Sequence, residues 1–155
     1  MDITDEQASD PALLDATYRT EAPTLLRVAY LITGSRESAE DAVHDTFLRC
    51  RDRLAELDHP PSYLRAAVVN ECRSAHRRAQ RGRRDFTDEE VVMPSELVEL
   101  RDALDRLPWR QRTALVLRYF VDLPDAEIAM ILDCRPSTVR SHLRRGLSKL
   151  KESFQ

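Results

Sequence analysis

The chain has 155 residues, 42% hydrophobic and 33% charged, a balance that predicts a soluble globular protein and excludes a disordered one. Three glycines leave little for glycine-rich phosphate loops, no apolar run approaches the roughly 18 residues of a membrane span, and three scattered cysteines fit a reducing cytoplasm. The net charge of −3 hides a segregation: 13 acids against 6 bases in residues 1–60, one against 7 in 61–84, 8 against 2 in 85–108 and 5 against 9 in 109–155. Local fields of this kind, more than net charge, steer a polyanion.

The acidic start, MDITDEQASD, lacks the apolar core of a signal peptide. Helical periodicity then runs through most of the chain, without sustained alternation or hairpin dipeptides, so an all-α fold is expected. A first helix is predicted over 11–20. Pro23 is expected to interrupt it, and a second helix runs to about residue 33 on Leu25, Leu26, Ala29, Leu31 and Ile32. Gly34 fits the left-handed position past a helix end. Ser38, followed by Glu40 and Asp41, reads as the cap of a helix that reaches about residue 54. Its buried stripe is Ala39, Ala42, Val43, Phe47, Cys50 and Leu54. Pro60 and Pro61 end the connection, and the next helix, 62–81, carries Leu64, Ala67, Val68, Cys72 and Ala75 on one face. Its end is crowded by Arg73, Arg77, Arg78, Arg81, Arg83 and Arg84. Complementing the helix dipole needs one or two cations; six point to phosphate binding, with an affinity that falls steeply with salt. Asn70, a modest helix former, lies one turn before them.

Residues 82–94 have no apolar period and read as a linker. A helix over 95–106 follows, then a break at Leu107-Pro108, then a helix from Trp109 to about residue 120, with Trp109 expected in the core. Residues 123–151 read as a helix-turn-helix. Pro124 takes the first helical position, with Asp125 and Glu127 behind it where the dipole favours acids. Ile128, Ala129, Ile131 and Leu132 are apolar at helical spacing, and Asp133-Cys134-Arg135 forms the turn. Pro136 restarts a helix whose buried face is Val139, Leu143, Leu147 and Leu150. Arg135, Ser137, Thr138, Arg140, Ser141, Arg144, Arg145 and Lys149 occupy most of the rest. Hydroxyls at the start of a basic second helix fit a DNA major groove: they approach base edges closely, while Arg forks onto guanine or clamps phosphate. Cys72 and His76 are a feasible ligand pair, but structural zinc takes four ligands and no second close pair exists. No metal, no cofactor and no enzymatic activity are therefore expected.

Three stretches taken together resemble a known family. RVAYLITGSRESAEDAVHDTFLRCRDRL resembles the σ2 segment that grips RNA polymerase. PPSYLRAAVVNECRSAHRRAQR resembles the σ2 helix that reads and melts the −10 element. LRDALDRLPWRQRTALVLRYFVDLPDAEIAMILDCRPSTVRSHLRRGLSKLK resembles σ4, which binds the −35 element. In this order, around a short acidic linker, they resemble bacterial sigma factors of the extracytoplasmic-function (ECF) group, in the SigE-like actinobacterial manner. The resemblance implies a σ2-like domain over 10–83, a flexible linker over 84–94 and a σ4-like domain over 95–154. It implies that Glu40, Asp41, His44, Asp45 and Phe47 contact core RNA polymerase. Tyr63, Asn70, Arg73, Arg77, Arg78 and Arg81 would serve the −10 region, beside a base-capturing loop over 56–62. Arg135, Ser137, Thr138, Arg140, Ser141, Arg144, Arg145 and Lys149 would serve the −35 element, with Arg112 as a further backbone clamp. Promoter DNA, core polymerase and an anti-sigma factor are the implied partners, in the cytoplasm and without membrane insertion. Two departures stand out: Asp133 where the turn often carries glycine, and Arg135 where a serine-like cap is common. The competing reading is a LuxR-like helix-turn-helix activator that binds an operator without polymerase.

Overall fold

Asp10 opens the first helix of the computed structural model, which describes residues 10–81 and 94–154. The acidic start and most of the expected linker lie outside the described residues. The Asp10 carboxylate accepts from the Ala12 N–H at 3.0 Å, and Pro11 occupies the first turn, where its missing N–H costs nothing. Helix α1, Pro11–Thr33, then runs without a break, and Pro23 lies inside it. The expected interruption is therefore corrected. A mid-helix proline forfeits one hydrogen bond and crowds the preceding turn. Here Ala22, Leu25, Val28, Ala29, Leu31 and Ile32 are buried around and after it, and before it Leu14 packs against the core and the Tyr18 ring meets Phe47; that packing holds one helix together. Gly34 ends α1 at φ 74°, its N–H donating to the Tyr30 carbonyl at 2.8 Å.

Helix α2, Arg36–Cys50, starts earlier than expected, because Ser35 and not Ser38 is its cap: the Ser35 hydroxyl accepts from the Ser38 N–H at 3.2 Å. It also ends earlier, and Leu54–Glu56 forms a separate tight turn that buries Leu54. Helix α3, Pro60–Arg81, takes both prolines into its first turn. The second half contains α4, Ser95–Asp105, and α5, Trp109–Leu115. At Val116–Phe120 the expected helix widens into a π-type turn, with the Val121 N–H reaching the Val116 carbonyl at 3.3 Å. Helix α6, Asp125–Leu132, and α7, Pro136–Ser153, form the helix-turn-helix. Asp133 turns the chain at φ 52°, which Asp tolerates better than most residues, and Arg135 makes no side-chain cap bond.

α1, α2 and α3 pack together in the first half, and α5, α6 and α7 in the second. The halves also share a core, for α1 packs against α4, α5 and the Val116–Phe120 turn. Leu31, Ile32, Leu64 and Val68 are fully buried in one half, and Leu117, Ile128, Leu132 and Val139 in the other. Each such side chain contributes about 1.5–3 kcal/mol. The close approach depends on Gly34, where a Cβ would lie 2.5 Å from the Asp105 carboxylate.

Candidate nucleic-acid interface

Helix α7 buries Val139, Leu143 and Gly146 against its own half and turns a cationic face outward. Gly146 permits this seat, since a Cβ there would come within 2.9 Å of the Leu115 side chain. Arg135, Ser137, Arg140, Arg144, Arg145 and Lys149 are exposed, and Thr138 and Ser141 are half-buried. The Ser141 hydroxyl donates to the Ser137 carbonyl at 3.2 Å. Arg140 stands 4.0 Å from the Asp125 carboxylate, a loose pair that leaves its guanidinium available to an external anion. All eight residues expected at this surface therefore share one helix and its entry.

Helix α3 supplies a second cationic surface. Tyr63, Asn70, Arg77, Arg78 and Arg81 are exposed; Arg83 and Arg84 lie outside the described residues. Arg73 is half-buried and turned toward α6, where it donates to the Ile131 carbonyl at 3.2 Å and lies 5.4 Å over the Trp109 ring. Burial first, then Arg110 and Arg77, lower its pKa, against the pull of Asp133. In the loop before α3 the His59 ring accepts from the Ser62 N–H at 3.3 Å and pairs with the Ser62 hydroxyl at 2.7 Å.

On α2, Glu40, Asp41, His44 and Asp45 are exposed, with Glu40 paired to Arg36 at 2.7 Å. Phe47 does not join them, which corrects its expected place on a contact surface. It is 4% exposed and meets the Tyr18 ring edge-on at 4.9 Å. Leu48 takes the outward position instead, half exposed and spaced seven, four and three residues after Asp41, His44 and Asp45. That spacing was the available signal for an apolar residue on an acidic face.

Arg112 is also corrected. Expected as a backbone clamp, it is 5% exposed and buried between the halves, with carbonyl oxygens around its guanidinium. Trp109 is only half-buried, with Arg73 over its ring and His76 beside it at 6.0 Å. Cys72 is fully buried, and burial first, then Glu71, push its thiol up to about 12, so it is a poor source of thiolate. Among the described residues no three His, Cys, Asp or Glu side chains are placed to hold a metal, and no helix is long and apolar enough to cross a membrane.

Comparison with known proteins gives two family matches in tandem: Sigma-70 region 2 over residues 17–82, and Sigma-70, region 4, over residues 97–150. The ECF RNA polymerase sigma factor SigE of Mycolicibacterium smegmatis is 30% identical over 97% of this chain, and the chain spans 65% of that protein's length. The ECF RNA polymerase sigma factor EcfG of Rhodopseudomonas palustris is 31% identical, over 83% of this chain and 77% of its own. In fold the chain resembles the sigma factor RpoE of Bartonella quintana, solved with the anti-sigma factor NepR: TM-score 0.74, 22% identity, covering 90% of this chain and 95% of that one.

Proposed function

The chain belongs to the ECF group of the sigma-70 family, and from that premise we propose that it binds core RNA polymerase and directs promoter-specific initiation. The observation that carries this reading is the order of surfaces along the chain. Each family segment contains a helix with exposed arginines: Arg77, Arg78 and Arg81 at the end of α3, and Arg140, Arg144 and Arg145 on α7. The exposed face of α2 is of another chemistry, acidic with Leu48 at its C-terminal end, and suits a protein partner.

In this reading α7 enters the −35 major groove and α3 meets the −10 region through Tyr63, Asn70 and its arginines. Arg140 and Arg144 are the residues best placed for base edges. Asp41, His44, Asp45 and Leu48 form the polymerase contact, with Glu40 at its margin. Domain limits near 10–83 and 95–154 follow from the same assignment. The protein performs no reaction of its own and acts in the cytoplasm, where polymerase is. An anti-sigma factor is a further partner, supported by the likeness of fold to a sigma factor solved in such a complex. A lone helix-turn-helix activator would leave the region 2 match over 17–82 without a purpose.

The test is assembly with core polymerase. Leu48→Glu and Asp41→Arg, both at exposed positions, are expected to leave the helical content unchanged and to weaken assembly by about tenfold or more. Assembly at wild-type affinity in both variants would refute the assignment of α2.

A further inference from the structure

Helix α6 ends with carbonyls that no N–H of the helix itself can reach, those of Ala129, Met130, Ile131 and Leu132. The turn answers the first pair from its own backbone: the Cys134 N–H donates to Ala129 at 3.0 Å and the Asp133 N–H to Met130 at 3.4 Å. The second pair is answered from outside the helix-turn-helix. The Arg73 guanidinium donates to the Ile131 carbonyl at 3.2 Å, and the Arg110 guanidinium to the Leu132 carbonyl at 3.1 Å. Arg73 reaches over from α3, and Arg110 from the first turn of α5.

The charges suit this arrangement. The C-terminal end of a helix is its negative pole and favours cations, yet the last turn of α6 carries no base of its own. Arg110 stands at the positive pole of α5, where a cation is disfavoured, and its bond to Leu132 accounts for its place there. The turn's own residues do little to fix it. It bends at Asp133, at φ 52°, without the glycine that this conformation favours, and Arg135, at the entry to α7, makes no side-chain cap bond. Burial of Leu132 and Val139 joins the two helices, and the bonded carbonyls fix the turn between them.

We propose that Arg110 and Arg73 are positioning residues for α7: by closing the end of α6 they set the angle at which α7 is presented to DNA. Arg110 does so within its own half, and Arg73 adds its bond while α3 lies against α6. The consequence for −35 selection rests on the reading of α7 given above; the hold on the turn does not.

Cys134 lies in the turn, half-buried against the core, whereas Cys50 and Cys72 are fully buried. Alkylation of the full chain alone by iodoacetamide, resolved by peptide mass spectrometry, therefore reads opening of the turn at Cys134 and opening of the whole fold at the other two. Arg110→Met and Arg73→Met keep the aliphatic stem and remove the donors. Each should speed alkylation of Cys134 about three- to tenfold with Cys50 and Cys72 unchanged. Arg110→Lys keeps one charged donor and should fall between Arg110→Met and wild type. Loss of a nearby cation by itself disfavours a thiolate and slows the reaction, so acceleration reads exposure. In holoenzyme, Arg110→Met should reduce discrimination between the −35 element and its single-base mismatches by about threefold or more, at an unchanged salt slope. Wild-type Cys134 rates in both Met variants overturn the proposal. So does acceleration of all three cysteines together, which would make the arginines general braces of the fold. A shallower salt slope with a wild-type Cys134 rate would make Arg110 a phosphate contact instead, and unchanged discrimination in a holoenzyme that prefers the −35 element would remove the link to α7. A wild-type holoenzyme without any −35 preference refutes the reading of α7 itself, and the thiol result still decides what holds the turn.

Discussion

The guanidinium of Arg112 donates to the carbonyl oxygen of Ile32 at 2.7 Å, across 80 positions of sequence. Ile32 lies in the last turn of α1, where carbonyls have no partner within the helix. The same guanidinium donates to the carbonyls of Leu104 at 2.9 Å and Leu107 at 3.0 Å, and stands 3.7 Å from the Asp105 carboxylate. One buried cation therefore closes helix ends in both halves. Arg101 reinforces the junction by donating to the Gly34 carbonyl at 3.3 Å.

Arg112→Met keeps the aliphatic stem but leaves those buried carbonyls unpaired. A loss of about 2–4 kcal/mol of stability is expected, read by urea unfolding. A loss below about 0.5 kcal/mol, the range of ordinary surface changes, would mean that the junction does not hold the halves.

Gly34→Ala combines a positive φ with a Cβ placed 2.5 Å from the Asp105 carboxylate. The expected cost is about 1–3 kcal/mol. In an Asp105→Ala background the cost should shrink to the backbone part, and a double-mutant cycle measures the difference. Purely additive effects would place the strain elsewhere.

Arg140→Ala and Arg144→Ala should reduce transcription that depends on the −35 element. A base-reading arginine loses about 1–3 kcal/mol and relaxes sequence preference at one position. A phosphate-binding one weakens all sequences alike and flattens the salt dependence. Holoenzyme binding to a set of −35 variants across salt separates the two outcomes, and no change in either variant would remove α7 from the interface.

His142 has its pKa lowered from 6.5, first by burial and then by Arg110 and Arg145. The folded chain therefore takes up this proton less readily than the unfolded chain. Its contribution to stability is complete above pH 6.5 and is lost as pH falls through the folded value. Unfolding midpoints measured from pH 7.5 down to 5 should fall, and His142→Gln should make the decline shallower. An unchanged slope in the variant would assign the acid sensitivity to other groups.

The sequence carried much of this in advance. Apolar spacing located the helices, and Gly34, Asp133 and Pro136 marked ends that the structure keeps. Pro23 misled because local propensity yields to packing on both sides of it. Ser38 misled because two serines stand three apart and either could cap; the choice depends on backbone geometry that spacing does not encode. Apolar spacing already set Phe47 in the buried stripe of α2, where it lies; it was the family resemblance that put it on the contact surface, which Leu48 occupies instead. Arg112 was illegible for a different reason. Its partners are carbonyls of residues 32, 104 and 107, and backbone acceptors leave no trace in a pattern of side chains.

Transcription in vitro tests the central claim most directly. Core polymerase with and without the purified chain is supplied with a library of promoter fragments, and start sites are mapped by sequencing the transcripts. The account predicts discrete start sites that appear only when both proteins are present, downstream of a shared pair of sequence elements. Start sites unchanged by the chain, or fragments bound by it equally well without polymerase, would contradict the account.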